Sequence, residues 1–186
     1  NLITVVDASR LASGDMYASV LTTMVVKLAI RKADSGTPYS GDANGTISAD
    51  EFTAALTVAQ SQVKSTLGFG LDSTTAIFTN SPLITSATTT PAQQAQVAAY
   101  RQAIEAVAAI SNAVSESGGG ATAQEAFDAL TEDLSDGTID GQSDTGAVAA
   151  FAAVTGTLQA TVTQDVSTLM IPGTTTTVGA IASVLT

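Results

Sequence analysis

Cysteine, histidine and tryptophan are absent from this sequence of 186 residues. Their absence excludes thiolate chemistry, a Ser-His-Asp triad, zinc sites built from His or Cys, and His- or Cys-ligated haem. The donor atoms that remain in number are oxygens, which are the ligands that hard cations such as Ca²⁺ and Mg²⁺ prefer. Any metal site in this chain is therefore expected to hold calcium or magnesium.

Positive charge is also scarce. The chain has 6 Lys and Arg residues against 17 Asp and Glu residues, which gives a net charge of −11. Nucleic acid and anionic membrane surfaces are poor partners for such a chain, because both are bound through basic side chains. We expect cations as partners, and the Thr, Ser, Ala and Gly bias with few Lys is typical of a secreted or cell-surface bacterial protein rather than a cytosolic enzyme.

Long apolar runs are missing as well. The longest candidate, Tyr17 to Ile30, is interrupted by Ser19, Thr22, Thr23 and Lys27, so no span of a membrane is predicted in this segment. The first residue, Asn1, is not preceded by a basic and apolar leader, which we interpret as a mature or excised segment. Hydrophobic residues still make up 45% of the chain, enough for one domain over residues 1–186, with a sub-division at the glycine run 118–120 as the alternative.

Apolar residues recur at helical spacing and predict a mainly α fold, a bundle of about five helices. The five stretches run from Tyr17 to Leu28, Phe52 to Leu67, Tyr100 to Val114, Phe127 to Leu134 and Val148 to Leu169. Start and stop signals accompany them. These signals are helix starts at Asp7, Ser9, Ser13 or Asp15, capping boxes at Ser48–Glu51 and Thr122–Glu125, a first-turn proline at Pro91 and a helix stop at Gly68.

Both ends of the chain are β-prone. Asn1–Val6 is β-branched and apolar and predicts a short strand, and Thr174–Thr186 could form one or two strands. The two ends could pair with each other, or with the ends of another chain. The second alternative would join subunits into fibres by strand addition.

The loop "SGDANGTISADE" combines several oxygen-bearing residues with a glycine and a following helix. It resembles the calcium loop of EF-hand and dockerin-like proteins, which is also flanked by two helices. The resemblance implies side-chain ligands at Asp42 and Asn44, a turn at Gly45, an apolar anchor at Ile47 and a bidentate carboxylate at Glu51. The whole ligand set that it implies for calcium is Ser40, Asp42, Asn44, Thr46, Ser48 and Glu51.

The resemblance departs from the family at its first position, where Ser40 stands in place of the preferred Asp. It therefore implies a weak or structural site, with a dissociation constant on the order of 10⁻⁴–10⁻³ M, as in extracellular modules. Two alternatives stay open for this loop. It could be a capped turn that binds no ion, or Asn44-Gly45-Thr46 could be a glycosylation sequon.

A second acidic loop repeats the Gly-Thr-Ile phrase at Gly137-Thr138-Ile139. Asp133, Asp136, Asp140 and Asp144 surround it and are candidates for a second ion, since a cluster of acids would otherwise repel itself. Ser143 stands at the position where a closing Glu would be needed. A solvated acidic turn is the alternative.

The segments "VLTTMVVKL" and "QSQVKSTLGFGLDSTTAIFTNSPL" resemble a helical module of large bacterial surface proteins and lipoproteins. The shared features are Leu21-Thr22-Thr23, Leu67-Gly68, Asp72 and Pro82-Leu83, and "LSDGTIDG" is similar to segments of the same proteins. This resemblance covers about two thirds of the chain. It implies an extracellular, cell-surface setting and no catalytic residues.

We therefore expect a non-enzymatic extracellular structural or adhesive protein, stabilised by calcium, that self-associates or binds another surface protein. A ligand-binding module for glycans or proteins is one alternative, with Tyr39 as the best aromatic for a sugar. A carboxylate-dependent hydrolase is the other, with Asp133 and Asp136, or Asp50 and Glu51, as the pair.

Overall fold

Four α-helices are complete within the described residues. The computed structural model describes residues 1–6, 11–12, 16–116, 122–151 and 168–180. In chain order the helices are α1 (Val20–Lys32), α2 (Ala49–Leu67), α3 (Pro91–Glu116) and α4 (Ala123–Asp133). The prediction of a mainly helical chain is confirmed, and the predicted stops and starts at Gly68, Pro91 and Thr122 lie at helix ends.

The predicted count of about five helices is not matched. The fifth predicted helix lies mostly in residues 152–167, which are outside the described residues. Its described start, Ala149–Phe151, is a 3-10 turn, and two further 3-10 turns cover Leu134–Asp136 and Val178–Ala180. The glycine run proposed as a hinge, residues 118–120, is also outside the described residues.

The sheet of the described part is small. Strands β1 (Gln142–Ser143) and β2 (Gly146–Ala147) form an antiparallel pair that follows the second acidic loop. Gln142 is opposite Ala147 in this pair. The pair thus closes the loop back on itself immediately before the buried Val148.

The central helix of the bundle is α1, which contacts α2, α3 and α4. Eight of its 13 residues are buried, so it is apolar on most of its circumference rather than on one stripe. The partner helices bring small residues to the core, including Ala55 and Ala59 from α2 and Ala103 and Ala106 from α3. Their small size allows the helix axes to approach closely.

The N-terminal segment does not form the predicted strand. The Ile3 backbone N–H donates to Thr23 Oγ1 at 2.8 Å, and the Ile3 carbonyl accepts from Thr22 Oγ1 at 2.9 Å. Two threonine hydroxyls at the start of α1 thus satisfy the backbone groups that a neighbouring strand would have paired. Within the described residues, no β-bridge joins this segment to the C-terminal part.

The C-terminal part contains one element of the predicted β structure. Met170 and Thr177 form an isolated antiparallel bridge. The backbone N–H of Val178 donates to the carbonyl of Leu169 at 2.9 Å, and Pro172-Gly173 lies within the turn. Residues 181–186 of the predicted β tail lie outside the described residues.

Candidate metal centre

The α1–α2 connection folds back on the end of α1. The Gly41 N–H donates to the Ser35 carbonyl at 2.7 Å, and the Ala43 N–H donates to the Asp34 carbonyl at 3.0 Å. A Cβ atom on Gly41 would meet the backbone of Ala33 and Asp34, so a glycine is required at this crossing. The crossing brings Asp34, two residues beyond α1, to the middle of the loop.

Three residues of this loop have left-handed backbone conformations. Ser40 has φ 68°, Ala43 has φ 57° and Gly45 has φ 84°. The left-handed region costs a non-glycine residue about 1 kcal/mol or more, so surrounding interactions must hold Ser40 and Ala43 there. The back-folding hydrogen bonds to Ser35 and Asp34 supply such interactions.

The following helix begins as the sequence predicts. Ser48 is the N-cap of α2, and its Oγ accepts from the Glu51 N–H at 3.2 Å. Glu51 completes the capping box, because its Oε2 accepts from the Ser48 N–H at 2.8 Å, while its Oε1 accepts from the Asp42 N–H at 3.0 Å. The capping box therefore fixes the Glu51 carboxylate and directs it toward the loop.

Three carboxylates converge at this point. One oxygen each of Asp34, Asp42 and Glu51 lies within 4.8 Å of the others. None of the ion pairs among the described residues includes any of the three. The cluster therefore concentrates up to three negative charges without a basic side chain to offset them, in a chain that is already strongly acidic.

Backbone N–H groups organise the cluster. The two carboxylate oxygens of Asp34 accept from the N–H groups of Asn44 and Gly45, at 3.0 and 2.9 Å. Asp42 Oδ1 accepts from the Asn44 N–H at 3.2 Å. For Glu51, the hydrogen bond from the Ser48 backbone is the largest of several that hold the pKa of its carboxyl below the usual range. The N–H groups of Ser48 and Asp42 thus favour the ionised form of Glu51, which is the form that a cation requires.

The donor set fits a hard divalent cation. It consists of carboxylates from three separated positions, and each oxygen keeps a lone pair beyond the one used by an N–H group. Calcium tolerates irregular oxygen shells of 6–8 ligands, so three carboxylates would be completed by carbonyl oxygens or water. The same hydrogen bonds are also those expected of the alternative, a capped turn that binds no ion.

The structure brings only part of the predicted ligand set together. Asp42 and Glu51 belong to the cluster, and Asp34 joins them although it precedes the predicted loop. The other predicted ligands serve the loop itself. Asn44 Oδ1 accepts from the Thr46 N–H at 2.8 Å, Asn44 Nδ2 donates to Asp42 Oδ2 at 2.8 Å, Ser48 caps α2, and Ser40 lies exposed at a left-handed turn.

Asp34 was not predicted as a metal ligand from the sequence, because it lies six residues before Ser40 in a stretch interpreted as an ordinary loop. Its role depends on the crossing at Gly41, which a spacing rule cannot foresee. The one signal in the sequence is an acid placed directly after the basic last turn of α1, followed by Gly36 and Pro38 in a turn-rich segment.

The second acidic loop has a different arrangement. Asp133 is fully buried at the end of α4, where Oδ1 and Oδ2 accept from the Gly141 N–H at 3.0 and 3.1 Å. Burial, opposed in part by the hydrogen bond from Gly141, raises the pKa of Asp133 to about 6. Asp136 and Asp140 accept from the N–H groups of Thr138 and Gln142 within their own turns.

Asp144 is paired with cations of the chain itself. Its Oδ1 accepts from Arg31 Nη2 at 2.8 Å, and its Oδ2 accepts from Lys32 Nζ at 2.8 Å. Desolvation would raise the pKa of Asp144, but hydrogen bonds from Lys32, Arg31 and Ser135 outweigh it and hold the pKa well below its usual range. The last turn of α1 thus supplies the counter-charge that the sequence analysis assigned to a second ion.

The four acids of the second loop are not brought together. In the described part of the chain, the carboxylate cluster with metal-binding separations is the one formed by Asp34, Asp42 and Glu51. Tyr39, the predicted aromatic for a sugar, is also placed differently: its ring is buried, and its hydroxyl donates to Gln62 Oε1. Burial raises the pKa of Tyr39 to about 12.

Comparison with protein-family models, curated proteins and solved structures finds no match to this chain. Among the described helices, none combines the length and the apolar character that crossing a membrane requires.

Proposed function

We propose that this chain is a non-enzymatic extracellular structural or adhesive protein whose α1–α2 connection binds calcium. The observation that supports the proposal most is the convergence of Asp34, Asp42 and Glu51 within 4.8 Å of one another, with no ion pair to a basic side chain among the described residues. A divalent ion there would link the end of α1, the loop and the first turn of α2. Binding would then stabilise the packing of α1 against α2.

The oxygen-only chemistry of the chain supports calcium over softer metals, since Cys and His are absent. The left-handed turns and the exposed position of the cluster support a site of modest affinity. We expect a dissociation constant on the order of 10⁻⁴–10⁻³ M, which suits an extracellular calcium concentration.

A calcium titration followed by NMR tests this proposal. The backbone amide resonances of Asn44 and Gly45 report on the site directly, because both N–H groups donate to Asp34. Calcium should shift these resonances in the wild-type protein. Glu51→Gln and Asp42→Asn should weaken binding by at least about tenfold, since each removes one charged ligand.

The variants are chosen to keep the fold. Gln is accepted at the third position of a capping box, so Glu51→Gln retains the start of α2. Asp50→Asn is the matched control, because Asp50 is an exposed acid in the same first turn and outside the cluster. Amide shifts that are absent in calcium, or equal loss of binding in Asp50→Asn and Glu51→Gln, would refute calcium binding at this cluster.

We further propose that the chain assembles with copies of itself or with another surface protein through its ends. Leu2 and Ile3 are exposed to 57% and 37%, so the N-terminal segment presents apolar surface while its backbone is held by Thr22 and Thr23. Removing residues 1–7 tests this part. Sedimentation should show assembly of the full chain and its loss on truncation, whereas equal assembly of both would contradict it.

A further inference from the structure

A cleft of about 340 Å³ lies between the α2–α3 connection and the first turns of α3. Small-molecule sites usually have volumes of about 300–1,000 Å³, so the cleft is large enough for a ligand of one or two rings. Its described lining consists of hydroxyl, amide, aromatic and small apolar side chains, and none of them is charged.

The floor and the rim of the cleft are fixed by hydrogen bonds. Tyr100 is buried, and its hydroxyl donates to the Ile77 carbonyl at 2.7 Å. At the rim, Gln93 Oε1 accepts from the N–H groups of Thr89 and Thr90, each at 3.0 Å. A cleft held in this way loses little conformational entropy when a ligand binds.

Three polar groups in the cleft remain available to a ligand. Within the described part of the chain, the Tyr17 hydroxyl and the side-chain amides of Asn80 and Gln96 have no hydrogen-bond partner. Tyr17 and Asn80 are half-buried, and Gln96 is exposed at the mouth. A side-chain amide has both donors and an acceptor, so each of the two amides can donate a hydrogen bond to a ligand hydroxyl or accept one from it.

The Tyr17 hydroxyl and the amides of Asn80 and Gln96 indicate which class of ligand fits the cleft. An anionic ligand would find no cation among the described lining residues, and an apolar ligand would leave half-buried polar groups unpaired. A neutral polyhydroxylated ring satisfies the amides and places its apolar face against the aromatic ring of Tyr17. We propose that this cleft binds a neutral saccharide through Tyr17, Asn80 and Gln96.

The proposal does not depend on calcium, because the cleft shares no residue with the cluster of Asp34, Asp42 and Glu51. The sequence predicted Tyr17 on an apolar helical stripe and Tyr39 as the aromatic for a sugar. In the structure Tyr17 precedes α1 and lines the cleft, whereas Tyr39 is buried in the core.

The test is an NMR titration with three neutral disaccharides as probes: cellobiose, maltose and N,N′-diacetylchitobiose. At least one should shift the side-chain amide resonances of Asn80 and Gln96, in calcium and in chelator alike. Asn80→Ala and Gln96→Ala should each weaken its binding about three- to tenfold, the loss expected for one hydrogen bond. Gln94→Ala, on the same turn of α3 but outside the cleft, should bind as the wild type does.

The proposal is overturned if no probe shifts these amides at concentrations on the order of 10⁻² M, where a weak site would still be occupied. It is also overturned if binding occurs but Asn80→Ala, Gln96→Ala and Gln94→Ala all retain wild-type affinity, because the sugar would then sit elsewhere. Glucuronic acid serves as a charge control. It should bind no more tightly than glucose, since the described lining of the cleft contains no basic side chain.

Discussion

Asp133 illustrates at the residue scale how burial, with the charges of Asp140 and Asp136 adding to its effect, can make a carboxylate sensitive to pH. The side chain is fully buried, its two oxygens accept from the Gly141 N–H, and a hydrogen bond from the backbone of Asp140 also lowers its pKa. Ionisation at this position is costly because no cation compensates the charge. The folded protein therefore holds the proton of Asp133 to a higher pH than the unfolded chain does.

The pH dependence of stability tests this conclusion. The pKa of Asp133 is about 6 in the folded protein, above its ordinary value of 3.8. The stability gained from the neutral carboxyl is thus complete below about pH 4 and is lost as the pH rises through 6. We expect Asp133→Asn to be more stable than the wild type at pH 8 by on the order of 2 kcal/mol, with a flatter profile between pH 4 and 7.

Urea unfolding at several pH values measures this difference, and Asp50→Asn provides an exposed acid for comparison. Parallel pH profiles for Asp133→Asn and the wild type would show that Asp133 is ionised at no cost.

Gly41 is the second residue on which a local structure depends. A side chain there would meet the backbone of Ala33 and Asp34, whereas Gly36, in the same connection, has open space around it. We expect Gly41→Ala to lower the free energy of unfolding by about 2 kcal/mol or more, because the crossing must open. Gly36→Ala should change stability by less than about 1 kcal/mol.

Calcium binding should differ between the Gly41→Ala and Gly36→Ala variants in the same way as stability does. Gly41→Ala displaces Asp34 from the cluster and should weaken calcium binding, while Gly36→Ala should not. Thermal melting and calcium titration of the two variants make this comparison, and equal behaviour of both would show that the crossing is not what positions Asp34.

At the scale of elements, the contact between α1 and the second acidic loop is electrostatic as well as apolar. Arg31 and Lys32 in the last turn of α1 both bind Asp144, and Lys27 pairs with Asp128 of α4. Cations at the end of a helix also favour its dipole. These pairs hold the loop after α4 against the end of α1.

Substituting Asp144 tests that contact. Asp144→Asn should lower the free energy of unfolding by about 1–2 kcal/mol at pH 7, because Arg31 and Lys32 lose a partly buried partner. The pKa of Asp144 lies below its usual range, so its contribution is present above pH 4 and is lost as the pH falls further.

Asp140→Asn makes the same change in net charge and keeps the acceptor for the Gln142 N–H, so it should have little effect. If the two variants unfold alike in urea, or if high salt does not reduce the difference between them, the ion pairs contribute nothing.

The sequence allowed good prediction of elements wherever the deciding interactions are local. The capping boxes at Ser48 and Thr122 are local, and both helices begin there. For α1 the four starts predicted from the sequence all lie too early, because the helix begins at a capping box formed by Ser19 and Thr22. That box lies inside an apolar stretch, where the periodicity continues past the helix end.

Predictions failed where a distant partner decides the outcome. The β-branched segment Asn1–Val6 has the composition of a strand, but the hydroxyls of Thr22 and Thr23 satisfy its backbone instead. Asp144 was grouped with its sequence neighbours, although its partners Arg31 and Lys32 lie more than 100 positions away along the chain. Local composition does not contain this information.

At the scale of the whole molecule, the distribution of charge is uneven. Three of the six basic residues, Lys27, Arg31 and Lys32, lie on α1 and pair with acids of α4 and the second loop. Lys64 donates to the carbonyls of Ser73 and Thr75 rather than to an acid. The described ion pairs include none of Asp34, Asp42 and Glu51, and we propose that calcium supplies the positive charge for these three acids.

Calcium should therefore stabilise the molecule as a whole. Calcium at about ten times its dissociation constant would add about 1.4 kcal/mol, which corresponds to a rise in melting temperature of roughly 3–6 °C for a chain of this size. Sodium chloride at the same ionic strength should not reproduce the rise, and Asp42→Asn should remove most of it. Calorimetry of both proteins with calcium and with chelator measures it.

The most direct test of the central claim is a crystal structure determined in millimolar calcium, with anomalous scattering to identify the ion. Our account predicts one calcium between Asp34, Asp42 and Glu51, with metal–oxygen distances of about 2.3–2.6 Å. The claim is contradicted if the three carboxylates bind only the N–H groups of Asp42, Asn44, Gly45 and Ser48, with no anomalous peak between them.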